Sequence, residues 1–165
     1  MSTIFATDVA RSGLILGPVS SHAVSGGSSS ATTDAFSIGG FVEYKPEHGK
    51  NKNIIGYAEL SFLEKSKLSY WEFTFLVKGS MDKKLINVIQ PALYVGPSVA
   101  WSPEKFDNMN KIDLGINLGL GFDAEMDERL TFHFQTRYNW NFVSFVKGVK
   151  IYHRTFSILL GLSFK

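Results

Sequence analysis

The chain has no cysteine, which rules out a disulfide framework and a thiolate metal site. It has five prolines against fifteen glycines, a balance that suits strands and turns better than a helical bundle. It has almost no net charge: 17 Lys and Arg against 15 Asp and Glu leave +2, too little to imply a nucleic-acid partner. No apolar run approaches the roughly 18 residues of a membrane-spanning helix. That absence excludes helical spans alone, because a strand crosses a bilayer in about 9–11 residues of which only every second one is apolar. Residues 1–12 also lack the charged start and apolar stretch of a signal peptide, carrying Asp8 and Arg11 instead. If the chain is an exported barrel, its signal is expected to have been removed.

What is abundant is aromatic side chains in period-2 order. Residues 130–142 put Leu130, Phe132, Phe134, Thr136, Tyr138, Trp140 and Phe142 on one face and Thr131, His133, Gln135, Arg137, Asn139 and Asn141 on the other. Residues 112–126 alternate in the same way, with Ile112, Leu114, Ile116, Leu118, Leu120 and Phe122 opposed to Asp113, Gly115, Asn117, Gly119, Gly121 and Asp123. Residues 156–164 add Phe156, Ile158, Leu160, Leu162 and Phe164. Noisier alternation places strands near 13–21, 36–45, 54–63, 70–80 and 88–102, eight in all. In the first of these, Leu14-Ile15-Leu16 does not declare its faces. Nothing has helical spacing over a useful length, and no composition break divides the chain. The expectation is one all-β domain over 1–165, an eight-stranded antiparallel up-and-down barrel, with 1–12 a segment ahead of the first strand. Leu16-Gly17-Pro18-Val19 echoes Val95-Gly96-Pro97-Ser98, too briefly to count as a repeat.

Which face is inside separates two classes of barrel. The polar face of 112–126 is mostly Gly, Asn and Asp, which suits a narrow lumen that side chains must fill and is out of place on a solvated exterior. Of the 17 basic residues, only Lys78 and Arg137 fall well inside the expected strands. The apolar face is therefore expected to meet lipid, as in a transmembrane β-barrel. Trp71, Trp101 and Trp140 fall at one end of such a barrel, and Tyr44, Phe122, Phe132 and Phe164 at the other, as two aromatic girdles. With both chain ends in the periplasm, residues 22–35, 103–111 and 143–155 become long outer loops and 127–129 a short inner turn; 64–69 is shorter than this orientation expects. The inward faces carry Glu43, Glu59, Glu72, Lys78, Asp123, Glu125, His133 and Arg137. Buried charges need partners, so a packed polar network filling the lumen is expected, with a gated ion path as the alternative. For Arg137 the expected partners are Glu59 and Glu72. Pro91 and Pro97 each remove a ladder hydrogen bond, which predicts a bulge or a strand limit moved at Pro91.

The segment Ala92-Leu93-Tyr94-Val95-Gly96-Pro97-Ser98-Val99 resembles the Y-x-x-x-G-P-S-x-G strand of the PorT-like outer-membrane β-barrel proteins of Bacteroidota, with Ala100 where that family usually has Gly. The Gly-rich strand at 112–126, the Arg137-Tyr138 pair and the aromatic-ended final strand resemble the same family, itself similar in form to the OmpA and OmpX barrels. The last strand resembles the signal read by the outer-membrane assembly machinery, with Gly161 and Phe164, although Lys165 follows the aromatic residue. The resemblance implies a bacterial outer-membrane location and contact with lipid and lipopolysaccharide. It also implies an envelope protein partner or a place in a secretion or gliding apparatus.

Catalytic and metal chemistry are thinly signalled. The four histidines, His22, His48, His133 and His153, are too far apart in sequence to suggest a metal pair. His22 and His153 fall in expected outer loops near Ser20, Ser21, Ser25 and Ser157, where loop histidines are the plainer reading than a triad. Asp107-Asn108-Met109-Asn110-Lys111-Ile112-Asp113 offers oxygen ligands without the spacing or glycine of an EF-hand, so a polar turn is the plainer reading there too. Gly115, Gly119 and Gly121 alternate within a strand and open no helix, so they are no nucleotide loop. The expected function is a non-enzymatic outer-membrane protein with a plugged lumen, no cofactor and no metal. A soluble lipocalin-like barrel and an outer-membrane lipid-modifying enzyme are the competing classes.

Overall fold

A computed structural model describes residues 7–25, 28–29, 33–46, 53–65, 68–81, 88–103, 110–143, 150 and 152–165. The strands are β1 (Thr7–Ser25), a two-residue β2 (Ser28–Ser29), β3 (Thr33–Pro46), β4 (Ile54–Lys65), β5 (Leu68–Ser80), β6 (Ile89–Trp101), β7 (Ile112–Glu125), β8 (Leu130–Asn141) and β9 (Tyr152–Phe164). β1 and β3 to β9 pair antiparallel in sequence order, and β9 returns to pair with β1. The eight long strands thus form a closed antiparallel barrel without a free edge, the arrangement that satisfies a backbone in lipid. β2 only extends the hairpin, through Val24↔Ser29 and Ser25↔Ser28.

Alternation sets inside and outside. Along β9, Phe156, Ile158, Leu160, Leu162 and Phe164 are 38–56% exposed while Leu159 and Ser163 are buried. Along β7, Leu114, Ile116, Leu118 and Leu120 face out while Gly115, Asn117 and Gly119 face in. An apolar belt of this extent is the mark of a surface that meets lipid. Trp71 and Trp101 are register partners at one end, here called the upper end, and Trp140 lies on the same half opposite Ile116. Tyr44, Phe122 and Phe164 lie toward the lower end, where Phe122 stacks on Phe134 with 5.2 Å between ring centroids.

Several expectations change. β1 begins at Thr7, so the second half of the 1–12 stretch expected ahead of the first strand is itself strand, residues 1–6 lying outside the described residues. A register shift between Val9 and Arg11 reverses its parity, turning Val9 outward and Arg11 inward beside Glu43. The expected 22–35 loop is strand as far as Ser25 and again from Thr33. His22 and His153 lie not in loops but in the β1–β9 ladder, His22 opposite Arg154 and His153 opposite Ala23. The prolines produce no bulge. Pro91 stands near the start of β6, where only its carbonyl is used, accepting from Met81 N at 3.0 Å. At Pro97 the β5–β6 ladder stops at Thr74↔Ser98 and resumes at Val77↔Val95 with equal residue counts on both sides. Pro18 sits in a matching gap between Leu16↔Leu160 and Val19↔Ser157. The glycine before each proline permits a close approach: a Cβ on Gly17 would lie 2.0 Å from Ile158 O, and one on Gly96 would lie 2.0 Å from Phe75 O.

Candidate functional site

The lumen is filled in layers. At the lower rim Arg11 Nη2 donates to Glu125 Oε1 at 3.2 Å, and its Nη1 is 3.8 Å from Asp123 Oδ2. Glu125 was expected within the lumen network, but its side chain is 39% exposed, so it belongs to the mouth. One layer higher, Lys78 Nζ donates to Glu43 Oε1 at 2.5 Å and also to Asp123 Oδ2. Lys78 and His133 are fully buried and Glu43 is 1% exposed. His133 Nδ1 meets Asp123 Oδ1 at 2.8 Å, and its Nε2 meets Ser163 Oγ at 2.7 Å.

This layer invites two chemical readings. Glu43, Asp123 and His133 bring ligand atoms within 4.8 Å of one another, as a metal site would. The Lys78 ammonium, however, already bridges both carboxylates from the position a metal ion would take. Ser163, His133 and Asp123 also stand in the order of a hydrolytic triad. Ser163 Oγ is nonetheless sealed, since both Ser163 and His133 have no exposure. A nucleophile also needs room for the atom it attacks.

Above the ion cluster lies an apolar plate of Ile15, Phe41, Tyr57, Leu76, Ala92, Tyr94 and Leu159. Phe41 stacks on Tyr57 at 5.0 Å and turns its edge to His133 at 5.1 Å. Arg137 rests on this plate, its guanidinium 5.2 Å from the centre of the Tyr57 ring. It donates from Nη2 to Glu59 Oε2 at 2.7 Å and to Tyr57 Oη at 3.1 Å, and from Nε to Gln135 Oε1 at 2.8 Å. Tyr57 Oη in turn donates to the same Glu59 oxygen at 2.8 Å. Glu72, the other expected partner of Arg137, instead accepts from Asn139 Nδ2 at 3.0 Å. The tilt of the strands carries it one layer toward the upper mouth. There Asn139 Nδ2 also reaches Ser98 Oγ at 2.8 Å, and Asn141 Nδ2 reaches Asp113 Oδ2 at 2.5 Å.

The girdle residues take up surface positions: Trp71 is 40%, Trp101 45%, Trp140 52% and Phe164 56% exposed. Trp140 also carries the Arg154 guanidinium 4.7 Å above its ring. The sequence reading missed Arg11, Tyr57, Tyr94, Gln135 and Ser163 as members of the network. The signal was parity, because Tyr57 shares a face with Glu59, and Tyr94 with Ser98. The loop residues 107–109 fall outside the described residues, as does His48.

No protein-family model matches this sequence. No curated protein matches it either. Among solved structures the chain is similar to Neisserial surface protein A, with a TM-score of 0.68 at 13% identity, covering 93% of this chain and 96% of that one. It is also similar to the outer-membrane enzyme PagL, with a TM-score of 0.56 at 10% identity, covering 87% of this chain and 97% of that one. At such identities the similarity speaks for the fold alone. Together with the closed ladder and the apolar belt, it gives the chain the architecture of the eight-stranded outer-membrane β-barrels.

Proposed function

We propose that the protein is a non-enzymatic component of a Gram-negative outer membrane. Its barrel is a rigid, plugged scaffold that presents the upper, Trp-bearing end to the outside and docks to another envelope component. The belt is its contact with lipid and lipopolysaccharide. The resemblance of residues 92–99 to the PorT-like barrels of Bacteroidota supports an accessory role in secretion or gliding. The observation that carries the reading is the sequence of sealed layers in the lower half of the lumen. Lys78, His133, Tyr94 and Gln135 all have zero exposure. An ion entering the barrel meets in turn a salt-bridge cluster, an apolar plate and a guanidinium–carboxylate pair.

The Ser163–His133–Asp123 chain favours a second reading, an acyl hydrolase, which the sealing of Ser163 Oγ argues against. Planar-bilayer recording of the refolded barrel, paired with an ester-hydrolysis assay, tests both. Little or no steady conductance and no hydrolysis are expected. Regular open channels would overturn the plugged scaffold, and hydrolysis lost in Ser163→Ala would establish the second reading.

A further inference from the structure

The upper mouth gathers three buried acceptor oxygens without donors. Asp113 Oδ1, Asn139 Oδ1 and Asn141 Oδ1 are buried and accept no hydrogen bond from the protein. Asn139 and Asn141 are each only 8% exposed. Buried acceptors are rarely left in this state.

The way the amides are turned follows from their partners. Asn141 Nδ2 is taken by Asp113 Oδ2, and Asn139 Nδ2 by Glu72 Oε1 and Ser98 Oγ. A carboxylate accepts and cannot donate, so each amide must present its nitrogen to the carboxylate and its oxygen the other way. Both oxygens then converge over Gly115, which lies opposite Asn141 in the β7–β8 register. A Cβ built on Gly115 would stand 2.2 Å from Asn139 Oδ1 and 2.5 Å from Asn141 Oδ1, so this spot exists only because residue 115 has no side chain. The two oxygens therefore stand within about 5 Å of each other, close enough for an ion on their lumen side, with ligands about 2.3–2.6 Å from its centre, to touch both.

Charge points the same way. Ala100 separates Glu72 from Asp113 in the ladder, Glu72↔Ala100 and Ala100↔Asp113, and its small side chain lets the two acids face one cleft. Among the described residues no Lys or Arg lies within 4.0 Å of either acid. Asp113, Glu72, Asn139 and Asn141 line a common cavity of about 50 Å³ at the upper mouth. A single water needs roughly 10–15 Å³ on this scale, so there is room for an ion with water beside it.

We infer that the upper mouth of the barrel is a binding site for a hard divalent cation of the Ca²⁺ class, held by Asp113, Asn139 and Asn141 with Glu72 balancing its charge. The donor set is all oxygen, carboxylate and amide mixed, which suits Ca²⁺ better than softer metals. Few protein ligands and an open coordination side place the affinity in the weak range of extracellular sites, a dissociation constant of about 0.1–1 mM.

The test uses the full barrel refolded in a zwitterionic detergent and stripped with EDTA. Tb³⁺ is titrated and its luminescence followed through the neighbouring aromatics, then competed with CaCl₂. Thermal unfolding is compared in CaCl₂, MgCl₂ and NaCl of matched ionic strength. One saturable Tb³⁺ per chain is expected, displaced by Ca²⁺, with an unfolding midpoint a few degrees higher in CaCl₂ than in NaCl. Asp113→Asn should weaken Ca²⁺ binding roughly tenfold without lowering the midpoint in EDTA, because its shape and its acceptor for Asn141 are kept. Gly115→Ala should abolish binding by driving the two amide oxygens apart; if that variant does not fold, Asp113→Asn decides alone. Absence of saturable binding, binding unchanged in Asp113→Asn, or equal stabilisation by NaCl would each overturn the site.

Discussion

Lys78→Met probes the plug where it is most demanding. The ammonium has no exposure and is the nearest cation to both Glu43 and Asp123. Methionine keeps the stem volume and removes only the charge. Glu43 then loses its sole ion-pair partner among the described residues, while Asp123 keeps His133 at 2.8 Å and the rim Arg11 at 3.8 Å. Breaking a buried pair from one side costs about 3–5 kcal/mol, because the surviving charge is left in a poorly polarisable interior. That is a factor of about 10²–10⁴ in the folding equilibrium. The double variant Lys78→Met/Glu43→Gln removes the stranded charge as well and should recover part of the loss, giving a coupling of roughly 0.5–3 kcal/mol. The assay is urea unfolding in lipid vesicles, followed by fluorescence of Trp71, Trp101 and Trp140, all at the lipid-facing surface. A single variant within about 0.5 kcal/mol of the parent, the range of ordinary surface changes, would refute the idea that this cluster holds the barrel together.

Arg137→Ala should also cost about 3–5 kcal/mol, and Arg137→Lys should restore only part of it, since an ammonium cannot reach Glu59, Tyr57 and Gln135 together; the same unfolding assay reads both. The protein should fold only with detergent or lipid, because Leu114, Leu118, Leu120, Phe156 and Leu160 would otherwise present one apolar belt to water. Gel mobility with and without boiling checks this, and a monodisperse β-rich protein in plain buffer would contradict it.

Much of the architecture could be read in the sequence, and unevenly so for physical reasons. β7, β8 and β9 announce themselves because lipid on one side and a polar lumen on the other enforce strict alternation. β1 does not, because Ile15 points into the apolar plate while Leu14 and Leu16 face out, making three apolar residues in a row carry two different meanings. The shift at Val9/Arg11 hides it further, since period-2 reasoning breaks wherever a strand gains a residue. Strand ends were placed too short at the upper end, where β1 and β9 continue through His22 and His153 with polar side chains that read as loop. In the lumen, charge was a good guide to membership and a poor guide to partnership. Arg137 meets Glu59 and not Glu72, a choice made by the offset between strands that a single sequence does not encode. Ser163 and the Asn139 and Asn141 amides looked like small polar filler. Their importance depends on which atoms are left facing Gly115 and His133.

The two glycine–proline steps carry a consequence for how the molecule could be taken apart. Gly17 lies opposite Ser37 and Gly96 opposite Asn117; six residues along from each partner stand Glu43 and Asp123, the two acids that clasp Lys78. The chain thus divides into two four-stranded units of similar length, β1 with β3 to β5 and β6 to β9, each carrying the same dipeptide within its first strand and each contributing one jaw of the clasp. A cut in the connection between Met81 and Val88 would sever the covalent link while leaving every jaw and every ladder intact. Co-refolding of the two pieces would then depend on charges that cross the divide, Lys78 to Asp123, Glu59 to Arg137 and Arg11 to Glu125, so the ion pairs of the lumen would act as the recognition elements between the two half-barrels.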